Sequence, residues 1–138
     1  MRIACLILLA FIIGCASREM PKADNQKLLQ YHNIEREKHN LKPFVMDEKL
    51  NQYAQKHSEW MGRKNWLSHS RISNLMEDYN TVGENIAWNQ KDEREVTESW
   101  MNSTGHRANI LNKKFTKIGF GMAGNSRNQP YWTTVFAD

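Results

Sequence analysis

Ile118-Gly119-Phe120-Gly121-Met122-Ala123 alternates bulky with nearly bare positions, and this alternation decides how the chain is built. A period of two marks a strand. One face carries Ile118, Phe120 and Met122, whereas the other carries only Gly119, Gly121 and Ala123. A strand with a bare face lets another element approach its backbone closely. The polar, turn-rich stretch from Asn125 to Pro130 then leads into Tyr131–Phe136, which predicts a hairpin. Tyr131 and Val135 share one face of that last strand, Trp132 and Phe136 the other. Both faces need cover, as in a sheet held between two helical layers.

Working back along the chain, Val82, Glu84, Ile86 and Trp88 alternate with Gly83, Asn85, Ala87 and Asn89, which predicts a further strand. Helical spacing is clearest over Asp47–Met61, where Leu50, Tyr53, Ala54, His57, Trp60 and Met61 form one stripe behind an Asp47 cap. His57 is read there as a packed, hydrogen-bonded core histidine. An earlier helix is expected from Asp24 to about His39, with His32, Asn33 and Arg36 sharing part of its apolar face. Those three could be solvated or could tie neighbouring backbone groups. Ile72, Leu75, Met76 and Tyr79 predict a short helix. Asp92 and Glu95 form a capping box for a helix turning Val96, Trp100 and Met101 inward. The expected fold class is α+β, a three-layer α-β-α sandwich with a small antiparallel sheet.

The N-terminus predicts export. Arg2 precedes an apolar run from Ile3 to Gly14, and Cys15 follows a small residue, as in a secretory signal. That run covers about 18 Å as a helix against a hydrocarbon core of about 30 Å, too short for a comfortable span. Ile12-Ile13-Gly14-Cys15 resembles the bacterial lipobox, whose cleavage leaves a cysteine for lipidation. The chain has two cysteines, Cys5 and Cys15, so a mature form beginning at Cys15 can hold no internal disulfide and no other thiol nucleophile. The expected organisation is a signal over residues 1–14, a tether over 15–24 anchored to a membrane through Cys15, and one domain over 25–138. The expected location is the bacterial cell envelope, outside the cytoplasm.

The formal charge of +4 is spread over scattered lysines and arginines, without the basic, aromatic-studded stripe that nucleic acid requires. Nucleic acid is therefore not an expected partner, and a monomer is expected. The chemistry-bearing residues are His69, Glu84 and His106. Glu84 shares its strand face with Val82, Ile86 and Trp88, so its carboxylate must find donors inside the fold. His106 falls near the positive end of a helix capped by Ser103, which disfavours an imidazolium there. Two histidines and a glutamate from separate elements match a zinc set with an open fourth position. A structural hydrogen-bond network would use the same residues, and no HExxH or CxxC motif appears.

Four segments carry a resemblance. Gly83-Glu84-Asn85-Ile86, Trp100-Met101-Asn102-Ser103-Thr104-Gly105-His106-Arg107, Phe115-Thr116-Lys117-Ile118-Gly119-Phe120-Gly121 and Tyr131-Trp132-Thr133 resemble the CAP superfamily, and its bacterial branch most of all. His32-Asn33 with Arg36, and Leu67-Ser68-His69-Ser70, are similar to its early motifs. The resemblance implies an α-β-α sandwich with a cleft lined by two histidines and two glutamates, which in some members holds a divalent metal. His69, Glu84 and His106 occupy three of those positions, with Asn85 and Ser103 beside them. Where many members place the fourth acid, this chain has Ser103, and Glu98 lies before Trp100 instead.

Three functions remain open from the sequence. The first is an envelope-anchored binding module whose cleft takes a divalent metal such as zinc, a lipid, or a cell-wall or peptide ligand. The second is a metal-dependent hydrolase with His69 and His106 as ligands and Glu84 acting on a bound water. In the third, the polar triad only secures loops to the sheet.

Overall fold

The computed structural model describes Met20 and residues 22–138. The expected signal, Cys15 and most of the tether lie outside the described residues. Nine elements follow in order: α1 (Asn25–Lys38), β1 (Val45–Met46), α2 (Glu48–Lys64), a 3-10 turn (Ile72–Glu77), β2 (Val82–Trp88), α3 (Glu93–Met101), α4 (Thr104–Ile110), β3 (Lys117–Gly124) and β4 (Pro130–Ala137). The strands assemble in the order β1-β3-β4-β2. The three long strands are antiparallel, with Glu84 opposite Val135 and Phe120 opposite Thr134. The two-residue β1 departs from the expected antiparallel sheet, because it pairs parallel to β3 at Lys117 and Ile118. Two residues are too few to show an alternation, so the sequence carried no sign of it.

The helices form the two outer layers. Leu28, Val96, Trp100 and Ile110 pack with Ile118, Phe120, Trp132 and Phe136 on one face. Leu50, Ala54, Leu75 and Tyr79 pack with Val135 and Ala137 on the other. The bare face of β3 does what its glycines allow. A Cβ added at Gly119 would stand 2.2 Å from the Leu50 carbonyl carbon, and one at Gly121 2.3 Å from the Gln55 nitrogen. Helix α2 therefore lies directly on the strand backbone.

Side chains finish both edges of the sheet. Beyond β1, Asn51 Oδ1 accepts from the Phe120 N–H at 2.9 Å, and Gln55 exchanges two bonds with the Met122 backbone. On the β2 edge, Trp100 donates to the Ile86 carbonyl at 3.1 Å and Asn109 to the Glu84 carbonyl at 3.2 Å. An unpaired edge would otherwise invite another strand.

Asn33 and Arg36 of α1, left open between solvated and tying roles, are ties to neighbouring backbone. Arg36 is buried and donates to the carbonyls of Lys42, Ile110, Asn112 and Phe115, while its guanidinium sits 3.9 Å from the Phe44 ring centroid. Asn33 bonds both backbone groups of Phe44. The capping box forms with one change: Asp92 accepts from the Glu95 N–H, but Glu95 reaches back to the Lys91 N–H. The expected short helix is the 3-10 turn, which buries Leu75 but leaves Met76 outside.

His32 lies fully buried against Trp100 and Phe120, with Nδ1–H donating to the Leu28 carbonyl at 2.8 Å. Burial lowers its pKa from 6.5 to about 4, against smaller opposing effects of that carbonyl and Glu35. The folded protein thus keeps His32 neutral where the unfolded chain already takes up a proton. Stability contributed by the neutral ring is complete above pH 6.5 and is lost as the pH falls toward 4. Urea unfolding at pH 7 and pH 4.5 should differ by about 2–3 kcal/mol through this group. His32→Leu should flatten that part of the profile; an unchanged slope would show that the ring is not held neutral.

Candidate functional site

Helix α2 delivers the chain to the site. It ends at Asn65, in the left-handed region at φ 51°, whose N–H bonds back to the Gly62 and Met61 carbonyls. The chain then reverses and is pinned along α2. His57 Nε2–H donates to the Ser68 carbonyl at 2.7 Å, and the Tyr53 hydroxyl donates to Ser70 Oγ at 3.2 Å. His57 is therefore half-buried and anchors a loop, not the core histidine expected from the stripe. Trp60, also expected inside, is 38% exposed and stacks on the His57 ring at 5.7 Å. Both stand at the margin of the helical stripe, where periodicity does not distinguish core from rim.

This loop sets His69 over Glu84. His69 Nδ1 and the Ser70 N–H both bond Glu84 Oε1, at 2.8 and 2.9 Å. The Glu84 side chain is 2% exposed and that of His69 63% exposed, so the acid is a buried brace beneath an accessible imidazole. Because Nδ1 faces the carboxylate, Nε2 is left for the cleft. Glu84 Oε2 is buried without a hydrogen-bond partner among the described residues.

Asn85 and Asn109 lock α4 beside β2. Asn85 donates to the His106 carbonyl at 3.0 Å and accepts from Asn109 at 2.8 Å. Ser103 takes the backbone conformation of a helix cap, but its hydroxyl makes no capping bond. His106 is half-buried, and its pKa is lowered by burial first and by His69 second. The direction agrees with the sequence expectation; the cause is burial and a neighbouring imidazole. The two histidines are thus within electrostatic reach of each other.

The described residues contain no group of three or more His, Cys, Asp and Glu placed to hold a metal ion. Glu84 Oε1 is engaged by His69 and Ser70, so the three-ligand set read from the sequence does not form around a common point. The chemically suitable donors here are His69 Nε2 and the His106 ring, two rather than the three or four protein ligands of a zinc site. A carboxylate bonded to the second nitrogen of a ligand histidine is the usual support of such a site.

Beside His69 lies a groove of about 480 Å³ formed by Tyr53, His57 and Trp60, with Lys56 and Arg71 at its rim. The sequence reading missed this wall. Its signal was the His57 and Trp60 pair at i, i+3, which places two rings on one helix flank. Glu98 is exposed and lines a separate groove with Tyr31, Ile34 and Lys38, away from His69.

A buried acid bonded to a histidine on the loop after α2, with α4 tied alongside β2, fits the CAP fold that the sequence resembled, and comparison with known proteins agrees. The model of the cysteine-rich secretory protein family, CAP, matches residues 29–136, and the chain belongs to that family. It is 40% identical over 123 residues to YkwD of Bacillus subtilis, an alignment covering 83% of this chain and 47% of that protein. The chain thus spans about half the length of this relative. Among solved structures, an extracellular SCP-domain protein of Bacillus anthracis is 30% identical with a TM-score of 0.69, covering 81% of this chain and 39% of that one. An outer surface protein of Borrelia burgdorferi shares the fold with a TM-score of 0.73 at 22% identity, covering 86% of this chain and 97% of that one. No helix among the described residues is long and apolar enough to cross a membrane.

Glu84→Ala strips partners from His69 and the Ser70 N–H in one step. Equilibrium urea unfolding should register a loss of about 1–3 kcal/mol. Wild-type stability in the alanine variant would mean that the carboxylate does not brace the loop.

Proposed function

We propose that this chain is an extracytoplasmic CAP-domain binding module. Its cleft uses His69 and His106 to hold a divalent cation such as zinc, with Glu84 orienting His69 from below. The observation that carries this reading is the bond from His69 Nδ1 to buried Glu84 Oε1, which leaves Nε2 directed at solvent. Neutral imidazoles suit zinc, and the lowered His106 pKa keeps that ring available as a ligand. When bound, the cation would supply a Lewis-acid anchor for an oxygen or carboxylate of a ligand. The adjoining aromatic groove would receive the ligand's apolar part, from a lipid, a cell-wall fragment or a peptide. The extracellular and outer-surface relatives support a location outside the cytoplasm.

The test is a zinc titration on wild type, His69→Ala and His106→Ala. Each substitution should weaken zinc binding by at least about tenfold, the lower end of losses known from disrupted metal sites. Uptake unchanged in both variants would remove the cation from the proposal. A panel of peptide and ester substrates run alongside separates binding from chemistry: turnover lost in both histidine variants would replace the module with a metal-dependent hydrolase.

Anchoring forms the second part of the proposal. Lipidation at Cys15 would hold the domain at the envelope membrane through the polar tether. Cys15→Ser should move the protein from the membrane fraction to the soluble extracytoplasmic fraction. An equal membrane share for both forms would exclude this cysteine as the anchor.

A further inference from the structure

A second concavity, of about 430 Å³, lies near the turn between β3 and β4 and shares no lining residue with the histidine groove. Its apolar part is conspicuous: Trp66 is 65% exposed, Leu67 46% and Trp88 43%. Two exposed tryptophans around one pocket are unusual on a small domain and mark an interaction site.

Its polar part is built with a fixed direction. Asn125 is buried, and its Oδ1 accepts the backbone N–H groups of Arg127 and Gln129 at 2.9 and 3.0 Å. With the oxygen held by backbone donors, the Asn125 amide nitrogen must face the other way. It donates to Asn65 Oδ1 at 2.7 Å and to Gln129 Oε1 at 2.9 Å. Asn65 Oδ1 also takes the Tyr131 hydroxyl at 3.2 Å. Both amide oxygens are therefore used, and the amide nitrogens of Asn65 and Gln129 are the groups left to offer. Arg127 adds a guanidinium that forms no salt bridge among the described residues, and no acid lines the pocket. The result is an aromatic floor with a donor-rich, cationic rim.

We propose that this pocket binds an acidic, N-acetylated glycan. The tryptophans would stack on the apolar faces of sugar rings, a task suited to flat, partly exposed aromatics. The donors of Asn65 and Gln129 match acetamido carbonyls, and Arg127 matches a carboxylate. A few fixed polar groups around an apolar wall, in a volume above about 300 Å³, is the form of a small-ligand site. A lipid chain would leave the oriented donors unsatisfied. A basic peptide would meet Arg127 with like charge. This site does not depend on the cation site at His69 and His106.

Titration of the purified protein with hexasaccharides, followed by tryptophan fluorescence and calorimetry, tests the proposal. Hyaluronan carries both acetamido and carboxylate groups, chitin oligomers only acetamido groups, and cellulose oligomers neither. Affinity should fall in that order. Trp66→Ala and Trp88→Ala should each cost at least tenfold, and Arg127→Gln should bring hyaluronan down to the level of the chitin oligomer. Trp66→Ala should keep the wild-type melting temperature and the wild-type zinc titration, since the ring is mostly exposed and lies outside the histidine groove. Absence of saturable binding by either N-acetylated oligomer would overturn the proposal. So would equal affinity for the cellulose oligomer, or binding that survives both tryptophan substitutions.

Discussion

The structure depends on backbone-to-backbone contact between α2 and β3. Gly119 and Gly121 have no Cβ, and at each the space a Cβ would fill is taken by the α2 main chain. Close contact puts the helix within reach of the strand's open edge, where Asn51 and Gln55 bond the Phe120 and Met122 backbone as a neighbouring strand would. It also fixes where α2 stops. Asn65 turns the chain at that point, and the loop falls across the inner face of β2, setting His69 above Glu84. A bulkier β3 would lift α2, and the loop with it, away from the acid.

Substitution of side-chain for main-chain hydrogen bonds recurs through the fold. Arg36 gathers four carbonyls from segments that belong to no ladder, and Asn33 closes both backbone groups of Phe44. Irregular backbone can be buried only when its polar groups find partners. A chain with little regular structure between α4 and β3 therefore needs such hubs. Trp100 and Asn109 serve the β2 edge in the same manner, and Asn85, bonded to Asn109 and to the His106 carbonyl, holds α4 beside β2.

Legibility in the sequence followed the range of the interaction. The alternation Ile118–Ala123, the two-sided strand Tyr131–Phe136 and the Leu50–Met61 stripe are local patterns, and each element formed as read. Glu84 is buried as its strand face predicted, but alternation does not sort β2, where Gly83 to Ala87 are all buried and Trp88, expected on the inward face, is 43% exposed. The task of Arg36 was not legible, because three of its four carbonyl partners lie 74 to 79 residues away. The rim positions of His57 and Trp60 were hidden for a different reason. A stripe defines the centre of an apolar face, but the loop that leaves part of its flank open comes from residues 66–71, beyond the helix. The pairing of His69 with Glu84 was expected from the need of a buried carboxylate for donors, while the aromatic groove beside it was not.

The two oxygens of Glu84 meet unequal surroundings. One oxygen takes two donors, whereas the other is buried with none. Were the triad only a fastening for the loop, a glutamine would serve Oε1 equally well without a buried charge. An apolar pair would avoid the desolvation altogether. Leaving a buried acceptor unpartnered costs about 1–3 kcal/mol, and more for a charged group. Such a cost persists most readily where a cation, a proton or a ligand donor arrives to offset it. The accessible ring of His69 is the route by which one could enter. The exposed imidazole and the buried acid thus form a polar pair beside an apolar wall, with one carboxylate oxygen unpartnered among the described residues.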